Sequence, residues 1–276
     1  MLVVLSDQQR PDSCGVFGQQ LPVTPRLDAL ADDGVAFHEA FTVQPVCGPA
    51  RAAIQTGLYP TTTGCWRNGI ALPPEGRTLA ERMSSLGYQT GYIGKWHLAS
   101  NRGRNLPDGR ETARFERLPV PPERRGGYHD VWVAADALEH TSGATSGDPA
   151  TNLDLLPTIV TAAGGDDPHL DGRPLQNEGG PAVDVLVQIS ESQIGRALRT
   201  PTHTFAAAAP TRNPLAGHLR PAADRYVGTH LYDNRVDPHQ LHNLIDDTEH
   251  GPLRRQLAAR LADRIHEVEH VRPEVT

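Results

Sequence analysis

The chain opens with an uninterrupted apolar run, Leu2 to Leu5, which ends at Ser6 and Asp7. A short continuous run of this kind is typical of a strand that is buried on both faces, as in a parallel sheet covered by helices. In open α/β sheets, ligands bind beyond the carboxyl ends of the strands, so we expect Asp7 and Gln8 to lie at a binding site. Their oxygen atoms suit a hard cation such as Ca²⁺ or Mg²⁺.

Local patterns predict an alternation of helices and strands along the chain. A helix over 24–31 begins with a capping threonine and a proline, and it should turn Leu27 and Leu30 toward the core. Thr78 and Glu81 have the spacing of a reciprocal capping box. The predicted helices cover 24–31, 78–86, 128–140, 151–160 and the amphipathic segment 253–268, and the predicted strands cover 2–5, 35–37, 88–93 and 185–189.

Composition excludes several classes of protein. A formal net charge of -7 and an isoelectric point near 6.0 give no electrostatic reason to expect nucleic acid or an anionic membrane as a partner. No run of 18 apolar residues is present, so no transmembrane helix is expected. Three cysteines are too few, and odd in number, for a disulfide scaffold. The first residues lack the pattern of a leader peptide, so we expect a cytoplasmic protein.

Cys47 begins a segment that predicts a helix with a reactive end. A proline at position 49 suits the first helical turn and Gly57 is a natural stop, so Cys47 should lie just ahead of the helix. Unpaired N–H groups and the helix dipole favour negative charge there, and Arg51 lies one turn further on. A sulfur nucleophile, a helix end and an arginine can together hold and attack a tetrahedral oxyanion. The alternative is a buried structural cysteine before a surface helix.

The chain contains a single lysine, Lys95, among its 26 basic residues. An ammonium kept in so arginine-rich a chain indicates a position where a compact cation is needed. His97 follows two residues later, and in an extended chain the two side chains would project from the same side. An ammonium beside an imidazole suits a site that binds a charged ester and transfers protons.

These motifs together resemble the type I sulfatases of the alkaline phosphatase-like superfamily. Residues 47–51 match the Cys-x-Pro-Ser/Ala-Arg signature of that family, and residues 94–98 match its Gly-Lys-Trp-His-Leu motif. The Asp-Gln pair within 6–10 is similar to one form of its first metal-ligand pair, and 231–244 resembles its C-terminal segment. The phosphatase loop Cys-x5-Arg does not fit, because position 53 is alanine.

The resemblance implies a mechanism as well as a family. It implies that the formylglycine-generating enzyme oxidises Cys47 to formylglycine, whose hydrate attacks the sulfur of a sulfuric ester. It further implies that Arg51 and Lys95 stabilise the sulfate charge and that His97 acts on the formylglycine hydroxyl. The expected substrate is a small-molecule or glycan sulfate ester. The implied ligands of one divalent cation, Ca²⁺, are Asp7, Gln8 and Cys47.

The resemblance also implies the architecture, an α/β fold whose mixed, largely parallel sheet is flanked by helices, internally truncated and followed by a small C-terminal α+β subdomain. Residues 1–140 would form the N-terminal part of the core and 141–150 a linker. Residues 151–180 would form a returning core helix and loop, and 181–276 the C-terminal subdomain.

A complete sulfatase carries a large central block at the position of the linker. That block holds a second catalytic histidine, two further metal ligands and another lysine, and no such motif occurs in this chain. Since Ca²⁺ takes six to eight oxygens, the sequence predicts an incomplete metal site. Two functions stay open. The first is an impaired sulfuric ester hydrolase, with a phosphonate or phosphate monoester hydrolase as a close variant. The second is a non-catalytic remnant, or a mispredicted gene model, that retains only an anion pocket.

Overall fold

A computed structural model describes most of the chain as alternating helices and strands. It describes residues 1–7, 9–74, 77–102, 115, 118–136, 150–163, 165, 169–172, 174, 184–190, 192–211, 213 and 216–276. The helices are α1 (Pro25–Asp32), α2 (Cys47–Thr56), α3 (Pro60–Thr63), α4 (Leu79–Ser85), α5 (Leu155–Ala162), α6 (Ala216–Leu219) and α7 (Gly251–Glu269). The strands are β1 (Ala40–Phe41), β2 (Gly91–Lys95), β3 (Val131–Ala135), β4 (Ala150–Thr151), β5 (Val185–Ile189), β6 (Gly195–Arg199), β7 (His203–Ala208), β8 (Arg225–Asp233) and β9 (Glu274–Val275). Within these ranges no helix has both the length and the apolar character needed to cross a bilayer.

The strands pair in both directions, as expected for a mixed sheet. Within the described ranges, β1 pairs with β4 and β2 pairs with β3, and both pairs are parallel. The five-stranded sheet has the order β5-β6-β7-β8-β9 and is antiparallel except between β8 and β9. Lys95, the last residue of β2, stands opposite Ala135, the last residue of β3. The carboxyl ends of these two strands therefore lie side by side, where ligands bind in α/β proteins.

Two clusters of buried apolar side chains form the interior of the described chain. The larger cluster joins the five-stranded sheet and α7 to α2, since it contains Phe205 and Leu261 as well as Ala53. The smaller cluster contains Trp66 and Trp96 and lies beneath the β2–β3 pair. The C-terminal sheet thus shares a core with the helix that begins at Cys47.

Several predicted elements are confirmed, and each of them has strong local signals. α4 carries the predicted capping box: Glu81 donates its N–H to the Thr78 hydroxyl, and Thr78 donates its N–H to the Glu81 carboxylate at 2.8 Å. Gly57 caps the end of α2 with φ 67°, in the left-handed region that favours glycine. The predicted helix at 24–31, the strand at 185–189 and the closing helix are also present. The helix predicted over 151–160 begins only at Leu155, because Thr151 belongs to β4.

The predicted first strand is wrong. Residues 2–5 form no strand, and their side chains are exposed, with Leu2 at 86% and Val4 at 81%. A strand buried on both faces needs neighbours that satisfy its backbone and helices that cover it, and no described strand pairs with this segment. The predicted strand over 35–37 is also wrong, because pairing begins only at Ala40 in β1.

The segment 128–140 is not the predicted helix, since it contains β3 up to Ala135; residues 137–140 lie outside the described chain. The β-branched Val131 and Val133 favour a strand, and the parallel pairing with β2 stabilises the strand over a helix. The predicted strand 88–93 is shifted, since β2 begins at Gly91 and ends at Lys95. Residues 141–149 of the predicted linker 141–150 also lie outside the described residues, and Ala150 belongs to β4.

The expected core face of α1 is wrong, because Leu27 and Leu30 are 45% and 68% exposed. The helix is held locally instead, through the side chain of Asp28. Its carboxylate accepts a hydrogen bond from the Thr24 hydroxyl at 3.2 Å and another from the N–H of Val16 at 2.8 Å.

The β2–β3 pair has one covered face and one exposed face. Tyr92 and Trp132 stack on the covered face with their ring centroids 5.6 Å apart. The opposite face presents Ile93, Val131 and Val133, which are 77%, 49% and 64% exposed. The apolar side chains that would normally lie beneath a layer of helices are therefore open to solvent here.

Candidate active site

The first turn of α2 carries Cys47. The helix begins at Cys47 itself, with Val46 as its N-cap, two residues earlier than the sequence predicts. The N–H of Gly48 donates to Asn68 Oδ1 at 2.8 Å, and the N–H of Ala50 donates to the Val46 carbonyl at 2.9 Å. The expectation of unpaired N–H groups at this helix end is therefore wrong for these two residues, and the helix dipole is what remains to favour negative charge. Cys47 is half-buried and forms no disulfide.

Gly48 brings the start of α2 close to the loop that follows β2. A Cβ atom at position 48 would lie 2.9 Å from Asn68 Oδ1 and 3.6 Å from the carbonyl oxygen of His97. Any larger residue would push this amide away from the helix. The glycine thus allows the backbone of His97 to pack against the residue that follows Cys47.

Asp7, Arg51 and Lys95 form an ionic cluster at the carboxyl end of β2. Lys95 Nζ donates to Asp7 Oδ2 at 2.8 Å, and Arg51 Nη2 lies 3.4 Å from Asp7 Oδ1. The side chains of Asp7, Arg51 and Lys95 are 20%, 8% and 12% exposed. Burial alone would raise the pKa of Asp7, but the hydrogen bond from Lys95 and the charge of Arg51 hold that pKa below its usual value. The carboxylate is therefore ionised at neutral pH.

Arg51 also fixes the end of β2. Its Nη1 atom donates to the carbonyl oxygen of Lys95 at 2.8 Å and lies 3.4 Å from the hydroxyl of Tyr92. The Tyr92 hydroxyl donates to the same carbonyl at 2.6 Å. One guanidinium thus ties α2 to the strand that carries Lys95, and this tie orients the ammonium.

His97 lies beyond the strand in a left-handed backbone conformation, with φ 60°. Because β2 ends at Lys95, the argument that two extended residues project from one side does not hold for this pair. Burial, and next the charge of Lys95, lower the pKa of His97 to about 4. Its Nδ1 atom is buried without a hydrogen-bond partner in the described part of the chain. The imidazole is thus neutral at pH 7 and able to accept a proton.

Three further residues shape the site and were missed in the sequence. Asn68 holds the N–H of Gly48, and Tyr92 supports the carbonyl of Lys95. Asp136 accepts hydrogen bonds from the N–H groups of Ala99 and Ser100 at 2.8 and 3.0 Å, and so fixes the loop after His97. Asp136 directly follows β3, and ligands in α/β sheets bind beyond the carboxyl ends of the strands. Asp136 would therefore have been identified if 128–140 had been interpreted as a strand.

The donor atoms that the structure describes at this site do not make up the ligand set of a calcium ion. Gln8, one of the predicted ligands, lies outside the described residues. Elsewhere in the described chain, no group of three or more His, Cys, Asp or Glu side chains is arranged to hold a metal ion. Asp7 is a carboxylate ligand, but each of its oxygens faces a cationic side chain. Ca²⁺ takes six to eight oxygens, which this set does not supply.

Comparison with known structures first defines the class of fold. The chain superposes on the putative sulfatase yidJ from Bacteroides fragilis with a TM-score of 0.72 and 16% sequence identity, covering 95% of this chain and 94% of that one. The predicted α/β class is therefore confirmed, and the fold is the alkaline phosphatase-like fold of the sulfatases.

Comparison of sequences then shows which family the N-terminal part of the chain resembles. Residues 1–116 match the sequence model of the Sulfatase family. The chain is 40% identical to an ulvan-active sulfatase of Formosa agariphila over 136 residues, which are 49% of this chain and 24% of the relative. It is 31% identical to an N-acetylglucosamine-6-O-sulfatase of Bacteroides thetaiotaomicron over 100 residues, or 36% of this chain and 18% of the relative. The N-terminal part of the chain is thus similar to the sulfatase family, and the aligned part spans about a quarter or less of the length of these relatives.

Proposed function

We propose that this chain binds sulfuric esters and hydrolyses them weakly, with residue 47 as the nucleophile after its conversion to formylglycine. The observation that supports the proposal is the pair of cations, Lys95 and Arg51, held together at the carboxyl end of β2 in a chain whose residues 1–116 match the Sulfatase family model. Two largely buried cations at one point suit an oxyanion better than any neutral ligand.

The side chains of the site would share the work of the reaction. Lys95 and Arg51 would neutralise the sulfuryl oxygens, on which charge develops as the sulfur–oxygen bond to the alcohol breaks. His97 would take up the proton released on attack, since its pKa of about 4 leaves the imidazole neutral at pH 7. When formed, the formylglycine at position 47 would supply a hydrated aldehyde whose hydroxyl attacks the sulfur. The formylglycine-generating enzyme would then be a partner of the chain.

The described residues supply only part of the divalent-cation site that the resemblance implies. Calcium, as the resemblance implies, would offset charge on the sulfate through Asp7, Gln8 and residue 47. The described donors do not complete such a site, and Asp7 is already engaged by two cations. Without that additional positive charge, much of the electrostatic stabilisation of the transition state is lost, and we therefore expect slow turnover.

For the substrate class we propose a glycan sulfate ester. The names of the relatives support this choice, since one acts on ulvan and the other on the 6-O-sulfate of N-acetylglucosamine. A phosphonate or phosphate monoester presents a similar tetrahedral anion, so these esters remain alternatives that a substrate panel can separate.

The test begins with co-expression of the chain and a formylglycine-generating enzyme, followed by mass spectrometry of the peptide that contains Cys47. Conversion replaces the sulfur by an aldehyde oxygen. Hydrolysis of a chromogenic aryl sulfate is then measured with and without calcium. We expect conversion and slow hydrolysis, lost in Cys47→Ala and retained in the control Cys14→Ala. Failure to convert Cys47 would refute the proposed nucleophile, and conversion without hydrolysis would favour the non-catalytic remnant.

A further inference from the structure

Asp7 occupies both cations on which an anionic ligand would depend. Lys95 Nζ lies 2.8 Å from one carboxylate oxygen, and Arg51 Nη2 lies 3.4 Å from the other. All three side chains are largely buried, so water screens the two ion pairs only in part. A sulfate group cannot use the full charge of either cation while the carboxylate remains in place.

The surroundings of Asp7 favour a partner of positive side chains over a metal. A carboxylate that binds Ca²⁺ shares the ion with several other oxygen ligands. Here its neighbours are an ammonium and a guanidinium, and the described residues supply no cluster of additional acidic or histidine ligands. The charges of the three side chains sum to one positive unit with Asp7 ionised, and to two without it.

The segment that carries Asp7 can move without disrupting a sheet. Residues 1–6 are exposed and belong to no strand. The carboxylate could therefore leave Lys95 and Arg51 without the loss of any strand pairing.

We propose that Asp7 is an internal counter-ion of the anion site, and that a sulfated ligand binds by displacing its carboxylate from Lys95 and Arg51. This inference rests on the proposed function, because it concerns the same site. A counter-ion and a metal ligand predict opposite changes in the affinity for sulfate when the charge of Asp7 is removed. Removing the charge of a metal ligand weakens the binding of sulfate, whereas removing the charge of a competing counter-ion strengthens it.

The experiment measures the affinity of the full chain for inorganic sulfate by isothermal titration calorimetry, first in the presence of a chelator and then with calcium. Asp7→Asn keeps the size of the side chain and removes its charge. We expect Asp7→Asn to bind sulfate about tenfold more tightly than the wild type without calcium, since sulfate displaces an anionic carboxylate from the two cations in the wild type but only a neutral amide in the variant. Asp263→Asn, at an exposed carboxylate of α7 that pairs with Arg272, makes the same change in net charge and should leave the affinity within about twofold.

A second variant, measured by thermal unfolding, keeps the test valid if Asp7→Asn folds poorly. Asp7→Ala removes the carboxylate entirely, and sulfate should raise its unfolding temperature more than it raises that of the wild type. Weaker sulfate binding by Asp7→Asn, or binding that appears only with calcium, would overturn the counter-ion role and leave the proposed function standing. No sulfate binding by the wild type or by either variant would overturn the proposed function as well.

Discussion

Acidification should destabilise the native protein through His97. Burial and the charge of Lys95 lower the pKa of this imidazole to about 4, against an ordinary value of 6.5 in the unfolded chain. Between these two pH values the unfolded chain binds a proton that the native state does not bind. The contribution to stability is therefore complete above the unfolded pKa and is lost as the pH falls toward 4. The full difference in pKa corresponds to about 3 kcal/mol.

The assay is urea unfolding at a series of pH values for the wild type and His97→Asn. Asparagine tolerates the left-handed backbone at this position and carries no titratable group. Because the carboxylates titrate equally in both proteins, they cancel when the two free energies of unfolding are subtracted. We expect the wild type to lose about 3 kcal/mol relative to the variant between neutral pH and about pH 4. Parallel stability curves for the two proteins would refute the claim that the native state holds His97 neutral.

Three further predictions concern the fold. Thr78→Ala removes the capping box of α4 and should lower the free energy of unfolding by about 1 kcal/mol, whereas Thr78→Ser should retain most of it. Glu269→Ala should lower the free energy of unfolding by about 3–5 kcal/mol, because the guanidinium of Arg196, only 1% exposed, would lose the carboxylate that lies 2.7 Å from it. A loss below about 1 kcal/mol in urea unfolding would contradict this. Ile93→Lys combined with Val133→Glu replaces two opposed residues on the exposed face and should change stability by less than about 1 kcal/mol while reducing the binding of a hydrophobic dye; a large loss of stability would show that this face is covered.

The sequence predicted those helices whose signals lie within a few residues of each other. The capping box at Thr78 and the stop at Gly57 are local, and both are present in the structure. Strands were predicted less well, because a strand depends on a partner that is distant in the chain. The run at 2–5 has the right composition but no described neighbour to pair with, and β3 was taken for a helix because its pairing with β2 cannot be seen locally.

At the candidate site, too, contacts between distant residues were harder to predict than local features. Asp7 lies beside the end of β2, where Lys95 and Arg51 contact it, but the strand at 2–5 from which its place was predicted is absent. The relation between Lys95 and His97 was inferred from extended geometry, but the chain turns after Lys95. Tyr92 and Asn68 left no signal, because each acts only through a contact that the fold creates. Calcium, formylglycine, the domain boundaries and a cytoplasmic location stay predictions.

The distribution of aromatic residues makes the two cores separately observable. All three tryptophans of the chain belong to the smaller cluster or pack against it, and Trp96 lies directly between Lys95 and His97. The larger cluster contains Tyr59 and Tyr226 but no described tryptophan. Indole fluorescence therefore reports on the half of the molecule that carries the ionic cluster. The far-ultraviolet circular dichroism of α7 and the five-stranded sheet reports on the other half. If the two halves unfold at different urea concentrations, two optical channels will resolve them without any added label.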